Sequence, residues 1–177
     1  MVNKIMKSKI ILVTICFNIF FVTVSCGSKE DIPEDIIQYV ESFKSINSEF
    51  TQADQKFEQK FNEISELYKS LDQDDPYINI LSEQLYENVS ASLDQSIRTR
   101  EKFKNIGFVP SDCQKHHYEM DLYLSLLIEA ESTWKLSIDT SDQNTLEEST
   151  QLMNQANGKL KEVNVMRSQG ICGGIYR

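Results

Sequence analysis

The sequence predicts an all-α fold: an elongated, antiparallel, up-down-up-down four-helix bundle with coiled-coil-like packing. Three observations predict it. Apolar residues recur at three-, four- and seven-residue steps over long stretches, which is the spacing of a helix face. The three prolines stand where such stretches begin or have just ended. No run longer than four residues alternates apolar and polar in the manner of a strand, and six glycines are too few for the turns of a sandwich or barrel. The chain has 177 residues, enough for one domain, here expected over 32–177.

The first helix is predicted from Asp31-Ile32-Pro33-Glu34, read as an N-cap, a first-turn proline and a capping-box acid. It runs to Leu71 without Gly or Pro, with Phe43, Phe50, Phe57, Ile64 and Leu71 seven apart and Ile36, Val40, Ile46, Ala53, Phe61 and Tyr68 beside them. A repeat of seven on a 3.6-residue helix winds slowly around the axis and favours left-handed packing. Such a helix is on the order of 58 Å long. It outreaches the fourth helix, so either part of the phenylalanine stripe stays uncovered or the helix bends near Asn47 or Gln52.

Asp72 to Pro76 breaks the pattern, with Asp75 as N-cap and Pro76 at the first helical position. The second helix carries Ile78, Leu81, Leu85, Val89, Leu93, Ile97, Phe103 and Ile106; Gly107 is read as a left-handed cap with Phe108 folded back on the last turn. Ser111 to Gln114 reads as another capping box. The third helix then shows Cys113, His117, Met120, Leu124, Leu127, Trp134 and Ile138 on one stripe. After the polar turn 139–144, Asn144 and Glu147 open a fourth helix carrying Leu146, Met153, Ala156, Leu160, Val163 and Met166, ended by Gly170. Short loops make neighbours antiparallel.

The residues before this domain have a different character. Lys4, Lys7 and Lys9 precede an uncharged run, Ile10 to Val24, too short for a membrane span and suited to the core of a signal peptide. The run ends in Thr23-Val24-Ser25-Cys26-Gly27, which resembles the lipobox of bacterial lipoproteins. The resemblance covers residues 1–27. It implies cleavage after Ser25, a diacylglycerol thioether on Cys26 with further acylation such as palmitate, and a lipidated tether over 26–31. Thr23 departs from the commoner leucine at that position. Lys29-Glu30-Asp31 is similar to the short signal that sends some lipoproteins of the Bacteroidetes group to the cell surface. The expected location is therefore the cell envelope, anchored to a membrane on the periplasmic side or at the surface.

Charge agrees with a lipid as the sole anchor. Eighteen Lys+Arg oppose 27 Asp+Glu, net −9; losing residues 1–25 removes three lysines and no acid, leaving 15 against 27, or −12. Such a chain is repelled by anionic headgroups and is no candidate for nucleic acid. Of four cysteines, Cys16 leaves with the signal and Cys26 carries lipid, so Cys113 and Cys172 remain. The bundle puts them at one end, where a disulfide is expected in an exported compartment. A metal held by Cys113, His117 and Cys172 is the rival.

The expected distal loops gather Asp72, Asp74, Asp75, Asp139 and Asp142 with Glu147 and Glu148. That patch reads as a cation site or a dock for a basic partner, or as acids satisfying helix N-termini. Phosphate loops, nucleophile elbows and Cys-x-x-Cys are absent, and adjacent His116 and His117 exclude a His-Glu-x-x-His zinc motif. Glu119, Asp121, Glu129 and Glu131 are read as a solvated face, and His117 as a core or boundary histidine. No cofactor is expected. The function expected is a non-enzymatic binding or structural module of the immunity, inhibitor or assembly type, with a protein partner or a second copy. The alternative is a carrier of a small hydrophobic ligand or metal, in a cavity lined by Phe57, Phe61, Leu124 and Trp134.

Overall fold

The computed structural model describes residues 32–72, 75–170 and 172. The signal, Cys26, the tether with Asp31, and Asp74 lie outside the described residues. Four helices follow one another: α1 (Glu34–Ser70), α2 (Tyr77–Lys104), α3 (Gln114–Thr140), entered through a 3₁₀ turn at Ser111–Cys113, and α4 (Gln143–Gln169). Among the described residues there is no strand. The chain is an all-α four-helix bundle with the expected order and direction of its helices.

Several helix ends are built differently from the expectation. Pro33 is the N-cap of α1, and Asp35 accepts the amide of Ile36. Asp75 does receive the Tyr77 amide at 2.8 Å, as a cap should. Ser111 forms no box but a 3₁₀ turn, whose Cys113 amide reaches Pro110 carbonyl. The fourth helix is capped by Asp142, which accepts from the Asn144 amide and the Thr145 hydroxyl, two residues before the expected cap. At the end of α2, Ile106 packs on the core and Phe108 is 66% exposed, so the fold-back is made by the wrong neighbour in the expectation. Among the described residues positive φ falls instead on Gly170, on Cys172 and on Ser141 in the two-residue α3–α4 turn.

The interior is split along the bundle axis. A proximal cluster, at the disulfide end, includes Val40, Phe43, Phe103, Leu124, Leu127 and Val163. A distal cluster joins Ile64, Tyr68, Leu81, Leu85 and Val89, with Phe57, Phe61, Trp134 and Ile138 packed on it. Burying each such side chain stabilises the fold by roughly 1.5–3 kcal/mol.

Register explains the long first helix. Tyr39 lies against His116 and Phe57 against Trp134, both at an offset of 77 residues, so α1 and α3 run in parallel at constant register. Thr140 is then level with Glu63, and the last seven residues of α1 extend about 10 Å beyond α3. There α1 is covered by the first turns of α2, through Ile64 and Tyr68 against Ile78 and Leu81. The helix is continuous past Asn47 and Gln52. The surplus forms an overhanging hairpin rather than an exposed phenylalanine stripe: Phe43 and Phe50 are buried, and Phe57 and Phe61 half-buried.

Candidate functional site

Cys113 and Cys172 are joined in a disulfide, both almost fully buried in the proximal cluster. Their sulfurs are thereby withdrawn from the Cys113–His117–Cys172 metal alternative. Among the described residues no three His, Cys, Asp or Glu are arranged to hold a metal ion. His116 enters the core fully, at 3% exposure, while His117 is half-buried at its boundary, one of the two places expected for it. His116 Nδ1 lies 3.3 Å from the Tyr39 hydroxyl and its ring meets Phe43 edge-on, while His117 stacks on Phe103. Burial, the nearby Arg167 and then His117 push His116 down to about 3, so the ring is neutral.

Arg167 supplies the cation of this end. Its guanidinium lies over the Phe43 ring at 4.8 Å and donates to Asn47 Oδ1 at 3.1 Å. Among the described residues no carboxylate pairs with it. Desolvation lowers it to about 10, against the pull of Tyr123 and Tyr39, leaving it charged at neutral pH.

Between the two apolar clusters lies a polar waist. Glu131 of α3 is 5% exposed; Oε1 accepts the Ser92 hydroxyl of α2 at 2.5 Å, and Oε2 is buried without a hydrogen-bond partner. Ser96, itself buried, stands one turn away, near enough to influence the carboxyl without hydrogen-bond geometry. Asp54 of α1 has the same 77-residue offset from Glu131 and senses its charge. Burial raises Glu131 to about 7, opposed by the two serine hydroxyls. Burial, then Glu58 and Glu131, raise Asp54 to about 7. The fully buried Tyr123 is pushed well up by burial and by both acids.

Of the other acids read as a solvated face, Glu129 alone is exposed, while Glu119 and Asp121 are partly buried in ion pairs. Asp121 receives Arg100 at 2.7 Å and is held low by that bond, and Glu119 pairs with Lys159. Glu131 departs furthest from that expectation because it stands seven residues after Leu124 and three before Trp134, on the apolar stripe itself. That spacing was the available signal.

The surface has an open groove of about 790 Å³ between α1 and α2, lined by Ser42, Ile46, Glu49, Arg98 and Lys102 among others. None of the waist residues lines it. Comparisons with known protein families, curated proteins and solved structures give no match. The distal acids are dispersed in role: Asp75 and Asp142 cap helices, and Asp72 and Asp139 are exposed. The overhang carries Leu71, Asp72 and Asp75 beyond the 141–142 turn. Phe57, Phe61 and Trp134 pack ring against ring, whereas Leu124 belongs to the proximal cluster, so the four expected cavity residues do not converge.

Proposed function

We propose that the chain is a lipid-anchored cell-envelope lipoprotein whose bundle serves as a non-enzymatic binding or structural module, of the immunity, inhibitor or assembly type. The observation that carries this reading is the pairing of Cys113 with Cys172, the two cysteines that remain once a signal ending at Ser25 and a lipidated Cys26 are set aside. A buried disulfide suits an oxidising, exported compartment. The acidic charge supports a lipid rather than a basic surface as the attachment. Two features support a binding role over a catalytic or carrier one. The raised carboxyls of the waist do not border the surface groove, and the aromatic side chains that a carrier would use for a cavity fill the space against one another. Leu67, Tyr77 and Ile80 are also exposed on the overhanging hairpin, where a partner could cover them.

Metabolic palmitate labelling of the intact chain tests the anchor. Label is expected on the wild type and none on Cys26→Ser; label retained in the variant refutes the lipid assignment. A crosslinked pull-down from intact envelopes, wild type against Cys26→Ser, tests the role. A reproducible protein partner that depends on Cys26 is expected. Native mass spectrometry of the purified protein showing a stoichiometric small-molecule adduct would overturn the module in favour of a carrier.

A further inference from the structure

The waist is an unusual way to fill the middle of a bundle. A side chain 5% exposed, with one carboxyl oxygen bonded to a serine and the other bonded to nothing, sits between two apolar clusters and opposite a second carboxyl. Glu131 is almost wholly buried and Asp54 half-buried, and among the described residues no cation pairs with either; a charge on Glu131 is strongly disfavoured in such an interior, the more so beside a second carboxylate. The surroundings of Glu131 are specific. From α1 it faces Asp54, with Glu58 beyond; from α3, Tyr123; from α2, only the hydroxyls of Ser92 and Ser96. From α4, Ser149 spends its hydroxyl on the Ala130 carbonyl, and Arg167 acts on Tyr123 rather than on the acids. Lys135, the cation one turn along α3, lies over the Tyr86 ring.

We propose that this waist is a proton-operated latch: the closed bundle holds Glu131 as a neutral carboxylic acid, and loss of that proton loosens the packing of α1, α2 and α3 at mid-height while the disulfide holds the proximal end. Adding the proton draws the carboxyl back between the clusters. Removing it drives the charge toward water, which the structure permits only by parting the helices at this level. The latch responds to pH near neutrality, since burial places the Glu131 carboxyl at about 7 against an ordinary value of 4.5. The sign follows from linkage. The folded state holds the proton more tightly than an opened one, so closure is favoured at low pH and weakens as pH rises through that range.

Native-state hydrogen–deuterium exchange of the purified protein at pH 5.5 and 8.5, corrected for intrinsic exchange, tests it. In the wild type, protection of amides around 92–96 and 127–131 should fall by at least about 30-fold over this interval, the share of Glu131 alone, relative to amides around Leu81 and Val163. Glu131→Gln, which keeps size and an acceptor for Ser92 without a titrating charge, should show a much smaller fall than the wild type, the remainder being that of Asp54, whose carboxyl burial also raises. Asp54→Asn keeps a carboxyl at 131 and should reduce the fall without abolishing it, an arm that remains readable if Glu131→Gln folds poorly. A wild-type waist whose relative protection does not change with pH overturns the latch. So does a Glu131→Gln waist that loses protection as the wild type does.

Discussion

Opening the bond between Cys113 and Cys172 is a perturbation whose size can be worked from topology. The two cysteines are 59 residues apart in sequence, and closing a loop of that size removes about 4 kcal/mol of chain entropy from the unfolded state. Both side chains are nearly unexposed, at 0% and 1%. A Cys113→Ser, Cys172→Ser double variant therefore also buries two hydroxyls, at about 1 kcal/mol for each left unpaired. The expected loss is roughly 4–6 kcal/mol, a large share of the 5–15 kcal/mol that holds an ordinary domain together. The assay is urea unfolding of the purified protein, followed in parallel by tryptophan fluorescence and far-ultraviolet circular dichroism. Trp134, the only tryptophan, packs with Phe57 and Phe61 in the distal cluster, so its signal reports the end opposite the bond. The midpoint should drop, the slope should steepen because the freed chain exposes more surface, and both signals should shift together. A loss under about 1 kcal/mol refutes the idea that this bond restrains the unfolded chain. A midpoint that moves by dichroism but not by fluorescence refutes a single cooperative bundle.

Other outcomes follow from burial. Leu124→Ala removes a side chain at 0% exposure and should cost about 3–4 kcal/mol in urea unfolding. Leu136→Ala, on the same helix but 52% exposed, should stay within about 0.5 kcal/mol. Ser149→Ala breaks the one bond from α4 to the Ala130 carbonyl of α3 and should cost about 1 kcal/mol; a neutral result would mean that water replaces the hydroxyl.

The architecture was legible because local and global signals coincided. Pro33, Pro76 and Pro110 each stand just before a helix or helical turn, Gly170 ends α4, and the heptad phenylalanines of α1 face inward as their spacing requires. From antiparallel order alone, Cys113 and Cys172 had to meet. What escaped was the identity of the polar core, because residue type outvoted position. Glu131 lies four residues after Leu127, Asp54 four after Phe50 and Tyr39 three after Ile36, all on the apolar stripes, yet acids are read as surface groups. His116 and His117 illustrate a finer limit. Adjacent residues differ by about 100° around the helix, and the buried residues His116, Met120, Tyr123, Leu127 and Ala130 follow one another at three- and four-residue steps, which centres the inward face on the first ring and leaves the second at its edge against Phe103. The caps were misplaced where two acceptors competed: Asp142 captures both Asn144 and Thr145 before Asn144 can act as a cap.

Two buried groups of opposite titration now set the pH response of the whole fold. His116 is held at about 3 against an ordinary 6.5, so the unfolded chain takes up the proton first. Its contribution is complete above pH 6.5 and is lost as pH falls toward 3, at about 1.4 kcal/mol per unit. Glu131 is held at about 7 against 4.5, so its contribution is complete below 4.5 and is lost at a similar slope as pH rises toward 7, with Asp54 adding in the same direction. Between pH 4.5 and 6.5 the histidine and the glutamate oppose each other, and the stability of the wild type should vary little apart from the Asp54 contribution. Removing one unmasks the other. Chemical unfolding of His116→Gln across this interval should show stability falling with pH, and Glu131→Gln should show it rising or, with Asp54 still titrating, flattening. Whatever packing either substitution costs displaces its curve vertically and leaves the slope, so the slopes are the readout. If both variants slope the same way and as steeply as the wild type, neither side chain titrates as its burial requires, and the neutral, carboxyl-filled core described here is wrong.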